Sequence, residues 1–225
     1  NKFSELGYEF HLIDQRNHGR SFHSDDFNYD LMVEDLKLYI ESHQLKDIVL
    51  LGHSMGGKTA MLFAVKYPEF LDKLIIVDIS PRYYPTHHED ILKGLSSLDF
   101  DILESRGEAE EQLKRYVSDF GTRQFLLKNL YWETKEKLAL RLHLKSLKEN
   151  VNEVGEALPM HSLFEKDTLF LRGDRSEYVS LQDEAIIKNH FPKAKIETIS
   201  NAGHWLHAEN PTEFFEAVNT FLNSN

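Results

Sequence analysis

The sequence predicts an α/β fold, a mostly parallel sheet with helices on both faces and one helical insertion. Three observations carry this prediction. Apolar runs that do not alternate with polar residues, at Asp47–Leu51 (DIVLL), Leu71–Val77 (LDKLIIV) and Asp167–Arg172 (DTLFLR), read as strands buried on both faces. Helical segments of about ten residues or more separate strands in the chain, the alternation that builds parallel strands joined by crossover helices. Between residues 82 and 165 that rhythm stops, and the segment reads as three or four helices with no convincing strand.

Taken in order, Tyr8–Asp14 (YEFHLID) follows Gly7 and reads as a strand that ends in the polar loop Gln15–Ser21. From Tyr29 to His43, Met32, Leu36, Tyr39 and Ile40 fall on one face of a helix. Lys58–Tyr67 reads as a helix stopped by Pro68. Inside the insertion, Glu108–Phe120, Arg123–Tyr131 and Lys135–Asn150 read as helices. After it come the helix Leu181–Phe191, the strand Lys195–Ile199 and a helix from Pro211 to about Asn223. Asn210 is placed to cap that last helix, Pro211 suits its first position and Glu213 completes a capping box. The expected plan is a core of residues 1–81 and 166–225 with a helical cap of residues 82–165. Asn1 stands where Met would begin a chain, and the opening reads as a helix end running into a strand. Further N-terminal strands are therefore expected outside this chain.

A length of 225 residues, 41% of them hydrophobic, is enough to bury a substantial core and excludes a disordered chain. The 37 acidic against 26 basic residues give a formal charge of -11, which repels nucleic acid and anionic membrane surfaces. The longest apolar runs fall far short of the roughly 18 residues of a membrane span. The absence of cysteine removes disulfides, thiolate nucleophiles and Cys-ligated zinc together, and it fits a cytoplasmic protein. No signal-peptide pattern is visible.

Gly52-His53-Ser54-Met55-Gly56 fits G-x-S-x-G between a strand and a helix. The bare pattern alone is only moderate evidence, and its place in the chain gives it weight. A serine on such a tight turn is forced into a strained conformation, tolerated because its neighbours are glycines, and its hydroxyl is pushed out at the carboxyl edge of the sheet. The N–H of Met55 then faces a developing oxyanion, assisted by the dipole of the following helix.

Several segments beyond this elbow make the chain resemble the α/β-hydrolases, and more narrowly the bacterial YbfF-type esterases with a helical cap. They are Asp14–Ser21 (DQRNHGRS), Gly52–Lys58 (GHSMGGK), Val77–Pro81 (VDISP), Gln124–Lys128 (QFLLK) and Gly203–Pro211 (GHWLHAENP), in family order. The resemblance runs from about residue 8 to the C-terminus.

A serine hydroxyl needs a base, and His204 is the best of twelve histidines. It lies in the small-residue loop Asn201–His204, after the last strand and before the last helix, and it follows Ser and acid in the order of this fold. The acid has two candidates. The loop that commonly holds it in the superfamily reads Asp174-Arg175-Ser176-Glu177, with Ser176 where the acid would align. Asp78 ends the buried strand next to the elbow unit, where a carboxylate needs a partner such as the imidazolium of His204. YbfF-type esterases are similar in using an aspartate at this strand end.

The resemblance implies a serine hydrolase of short-chain carboxylic esters, acting through an acyl-enzyme on Ser54, with His204 as base and then acid and Asp78 orienting the imidazole. A preference for short over long acyl chains is expected, because the helical insertion should bound the pocket. His53, Phe125 and Trp205 are read as substrate-binding residues, and no metal or other cofactor is implied. Thioesters, C–C bonds beside ketones, or slow turnover by a small-molecule receptor remain alternatives on the same core. The second oxyanion donor is expected upstream of this chain. His87-His88-Glu89-Asp90 lacks the i, i+4 spacing of a helical zinc site and reads as a solvated loop. Arg16, His18 and Arg20 read as a structural turn, and His207 as a packing residue.

Overall fold

The computed structural model describes residues 3–85 and 89–224. In chain order its elements are α1 (Tyr29–Ser42), β1 (Ile48–His53), α2 (Met55–Lys66), β2 (Leu71–Val77), α3 (Glu89–Ser96), α4 (Arg106–Leu113), α5 (Phe120–Leu127), β3 (Leu130–Trp132), β4 (Leu138–Leu140), α6 (Leu144–Glu149), β5 (Thr168–Gly173), α7 (Asp183–His190), β6 (Ala194–Ile199), α8 (Leu206–Glu209) and α9 (Pro211–Leu222). Two compact units divide them. One comprises Asn1–Leu12, Met32–Tyr84 and Glu156–Asn225, the other Ile13–Leu31 and Pro85–Gly155.

The first unit holds a four-stranded parallel sheet in the order β1-β2-β5-β6. Strand β2 lies inside it, which explains its unbroken apolar run: Leu74, Ile75, Ile76 and Val77 are all buried. On one face Ile75, Val77, Leu169 and Leu171 pack with Phe214, Val218 and Phe221 of α9. On the other, α2 comes so close that a Cβ on Gly57 would lie 2.5 Å from Cγ2 of Ile79 and 3.5 Å from Cγ2 of Ile76. Helices thus cover both faces, as the apolar runs require. Asn210 caps α9 by accepting from the Glu213 N–H at 3.3 Å. Glu213 departs from the expected capping box, because its carboxylate accepts from Ser200 N and Asn210 Nδ2.

The second unit has its own core, in which Leu95, Ala109, Leu113, Leu126, Leu127 and Leu130 are buried together. The Asp14–Ser21 loop belongs to it. Asn17 is fully buried, with φ 66°, and its Nδ2 donates to Ser146 Oγ at 3.1 Å. Its carbonyl accepts from His143 N at 3.0 Å, and Gly19 N donates to Arg141 O at 2.9 Å. Arg16 donates to the Asp26 carbonyl at 3.1 Å.

Four expected elements are corrected. The helix expected over Glu108–Phe120 ends at Leu113, and Phe120 opens the next helix. Tyr8–Asp14 forms no strand. Apolar propensity makes a strand only where a neighbour supplies a ladder, and here Leu12 is 95% exposed while His11 Nδ1 bonds Tyr39 Oη at 2.8 Å. Lys135–Asn150 is not one helix, because β3 and β4 pair antiparallel and only Leu144–Glu149 is helical. Glu133 N donates to Lys137 O at 2.9 Å and Lys137 N to Thr134 Oγ1 at 3.0 Å, closing a turn that places Leu138 in the core. The expected helix Arg123–Tyr131 gives way to β3 at Leu130 for the same reason, while α5 begins earlier, at Phe120, on an N-cap from Asp119. His87 and His88 lie outside the described residues, and Glu89 and Asp90 open α3. Among the described residues no helix is long and apolar enough to cross a membrane.

Candidate active site

Each group of interest stands at the carboxyl end of a strand or in the loop beyond it. Ser54 joins β1 to α2 with φ 52° and ψ -121°, a region that L-residues rarely enter. The turn is tight because a Cβ on Gly52 would lie 2.2 Å from the Gly56 carbonyl oxygen, which only glycine avoids. Ser54 N donates to Val77 O at 3.0 Å, and Ser54 O accepts from Lys58 N at 3.1 Å, so both sides of the residue are held. Met55 opens α2. Its amide is one of the first-turn N–H groups that a helix leaves without an intrahelical acceptor.

Asp78 follows β2, and its side chain is wholly buried. Its N–H continues the sheet ladder to Leu171 O at 2.8 Å, with φ at 51°. Such a carboxylate needs donors, and it has three. Oδ1 accepts from Gly173 N at 3.2 Å. Oδ2 accepts from His204 Nδ1 at 2.8 Å and from the Ser176 hydroxyl. Gly173 also lets the loop that carries His204 pass close to β5, because a Cβ there would meet the Ala202 and Gly203 carbonyl oxygens at 2.4 Å.

His204 sits between β6 and α8, and its Nε2 lies 3.0 Å from Ser54 Oγ. With Nδ1 directed at a carboxylate, the neutral ring carries its proton there, and Nε2 is left to accept from the serine. Around the ring, Tyr178 stacks with centroids 4.0 Å apart and planes 23° apart. His53 lies at 4.6 Å and Trp205 at 5.2 Å, both inclined to it. The loop backbone is fixed as well. Glu209 accepts from Gly203 N at 3.0 Å and from Trp205 N at 3.2 Å, while Arg175 donates to the same carboxylate at 3.0 Å. His53 Nε2 donates to His204 O at 2.8 Å, and burial, with His204 beside it, pushes the His53 pKa down to about 3.

The sequence candidates are therefore distributed unevenly. Ser54, Asp78 and His204 form one hydrogen-bonded chain. His53 and Trp205 are beside it, with the polar edge of His53 turned to the His204 backbone. Phe125 stands on α5 in the other unit, 44% exposed. Asp174 accepts from Asn201 N at 2.8 Å and Ala202 N at 3.0 Å, bonds that hold its carboxyl below the usual range. Glu177 is exposed, and His207 packs edge-on to His53 at 5.1 Å. Tyr178 and Glu209 carried no local signal, because their partners come from loops distant in sequence. The Ser176 contact was foreshadowed only by its place in the superfamily's usual acid position.

A strained serine after a parallel strand, with an imidazole and a buried carboxylate in line behind it, defines the α/β-hydrolase architecture. The comparisons agree, since the alpha/beta hydrolase fold family matches residues 1–211, and the chain belongs to that family. Within it the chain's relatives include esterases and lipases. The chain is 30% identical to Esterase YbfF of Escherichia coli, over 94% of this chain and 81% of that protein. It is 37% identical to the sn-1-specific diacylglycerol lipase ABHD11 of Mus musculus, over 93% of this chain and 70% of that protein. The solved structure of a marine microorganism esterase superposes with a TM-score of 0.88 at 40% identity, over 93% of this chain and 83% of that one.

Proposed function

We propose that the chain is a carboxylic ester hydrolase that works through an acyl-enzyme on Ser54. The observation that carries this reading is the His204 ring, which reaches Ser54 Oγ at 3.0 Å through one nitrogen and Asp78 Oδ2 at 2.8 Å through the other. Esterase and lipase relatives support it.

In this mechanism the Ser54 oxygen attacks the ester carbonyl while its proton passes to His204 Nε2. Asp78 holds the imidazole in the required tautomer and stabilises the imidazolium. The carbonyl oxygen gains negative charge, and the N–H of Met55 donates to it. Collapse expels the alcohol, which takes the proton from His204 and leaves an acyl group on Ser54. A water molecule, deprotonated by the same imidazole, then attacks that acyl group. The carboxylic acid leaves, and the Ser54 hydroxyl is restored.

Short-chain p-nitrophenyl esters and a fluorophosphonate probe test the reading together. Hydrolysis and covalent labelling are expected in the wild-type chain, with both lost in Ser54→Ala and His204→Ala. Unlabelled Ser54 in a folded protein would indicate a binding protein on the same fold.

A further inference from the structure

The His204 ring is supported on its face as well as in its plane. Asp78 and Ser54 meet it through its two nitrogens, while Tyr178 lies against one face with centroids at 4.0 Å and planes 23° apart. The tyrosine is held at both its backbone groups. Its N–H donates to Ser176 Oγ at 3.3 Å, and its carbonyl accepts from Tyr84 Oη at 2.5 Å. Ser176 in turn donates to Asp78, so one loop fixes the carboxylate and the aromatic face together. Burial, and then the charge of Asp78, raise the Tyr178 phenol above its ordinary value, so the ring stays neutral and keeps its electron-rich face.

We propose that Tyr178 stabilises the imidazolium form of His204 through its ring face, as a second partner in addition to Asp78. The catalytic consequence rests on His204 being the base in the reading above. A cation over an aromatic face gains energy that a neutral ring in the same place does not. The contact therefore strengthens as the proton moves from Ser54 to His204, which is when support lowers the barrier. Tyr178 does not itself give up or take a proton in this step.

The other groups facing His204 separate this effect from general electrostatics. Asp78 contributes through Nδ1, and Ser176 acts through Asp78. His53 remains neutral down to about pH 3, and exposed His207 touches the ring of His53. The carboxylates of Glu209 and Asp174 are engaged by loop N–H groups, and Arg175 pairs with Glu209. None of these bonds involves the face that Tyr178 covers.

The test is the titration of the His204 ring protons by NMR in the wild-type chain, Tyr178→Phe and Tyr178→Leu, alongside pH profiles of kcat/KM with p-nitrophenyl acetate. Leucine keeps the apolar cover but loses the π face. Its imidazole is expected to titrate lower by about 0.4 to 1.5 pH units, the span that a cation–π contact implies. The acid limb of the rate profile should move the same way, with a plateau reduced roughly 3- to 30-fold. Phenylalanine should restore both to within about 0.3 units. A Tyr178→Leu imidazole that titrates as in the wild type overturns the proposal, as does a Tyr178→Phe shift equal to that of Leu. Tyr178→Met supplies the same readout if circular dichroism shows the Leu variant unfolded. If the titrations separate but no variant or wild type cleaves esters, the esterase reading fails and the ring contact stands.

Discussion

Ser176 donates its hydroxyl to Oδ2 of Asp78, the same oxygen that receives Nδ1 of His204 at 2.8 Å. The residue in the superfamily's usual acid position thus serves the carboxylate at the end of β2, and the two loops share one carboxyl group. Asp78→Asn should reduce kcat by roughly 10²- to 10⁴-fold, because the amide favours the wrong tautomer and leaves the imidazolium unpaired. Asp174→Asn and Glu177→Gln should each cost about tenfold or less, with the larger effect at Asp174, whose carboxylate binds the amides of Asn201 and Ala202. Steady-state kinetics of the three variants, with circular dichroism as a folding control, decide between them. An active Asp78→Asn beside a crippled Asp174 or Glu177 variant would return the acid to the later loop.

Ser54 tests chemistry and strain at one position. Ser54→Ala should leave no more than about a thousandth of wild-type hydrolysis, as expected when the nucleophile is lost. At φ 52° and ψ -121° a Cβ is costly, and glycine is free of that cost. Ser54→Gly is therefore expected to be more stable than Ser54→Ala by about 1 kcal/mol in thermal or urea unfolding. Equal stabilities would remove the strain argument.

Glu209 holds the two N–H groups that flank His204. Glu209→Ala leaves both donors without that acceptor, and a loose base should lower kcat by roughly 10- to 100-fold with KM changed less than about threefold. Arg175→Gln removes an exposed partner of the same carboxylate. It should change stability by no more than about 1 kcal/mol, the ordinary worth of a surface ion pair.

Lys58 is buried under the ring of Tyr84, and its Nζ donates to Glu156 O at 2.8 Å and to Arg82 O. Burial lowers its pKa to about 7, with the charge of Arg82 adding to the shift. In the unfolded chain the same amine stays charged to about pH 10.5. Between these values the unfolded state binds more protons, so this group makes stability rise with pH from about 7 to 10. Measured against Lys58→Met, the wild-type chain should gain in unfolding free energy over that window. Near pH 10, where the folded-state amine is neutral, the variant should be less stable by about 1–3 kcal/mol, for its two unpaired carbonyls. A pH-independent difference would count against the depressed pKa.

Legibility in the sequence tracked the range of the interactions. The strand Leu71–Val77 was readable because burial on both faces leaves the apolar run Leu74–Val77 at its carboxyl end. The start of α9 was readable because Asn210 and Pro211 act within one turn. The β3–β4 hairpin was hidden by the Lys, Glu, Leu and Arg of Lys135–Asn150, which favour helix by propensity. Only pairing with Leu130–Trp132 overrides that preference. Tyr8–Asp14 shows the converse, an apolar run without a ladder partner.

The sequence by itself determined the chemical inventory: a serine between glycines at a strand-to-helix turn, a histidine in a small-residue loop after the last strand, and aspartates at two strand ends. Each is a local property, written in a few adjacent residues. The sequence favours Asp78 over the later loop, but only the tertiary structure brings its carboxylate to the imidazole and decides what surrounds the ring. Asp78 and His204 are 126 positions apart and Ser54 and His204 are 150 apart, yet hydrogen bonds form only within about 3 Å. That distance is set by the register of β2 against β5 and of β5 against β6, together with the path of the Gly203–Trp205 loop across the sheet edge. No local pattern specifies it, because it is the sum of packing throughout the core beneath.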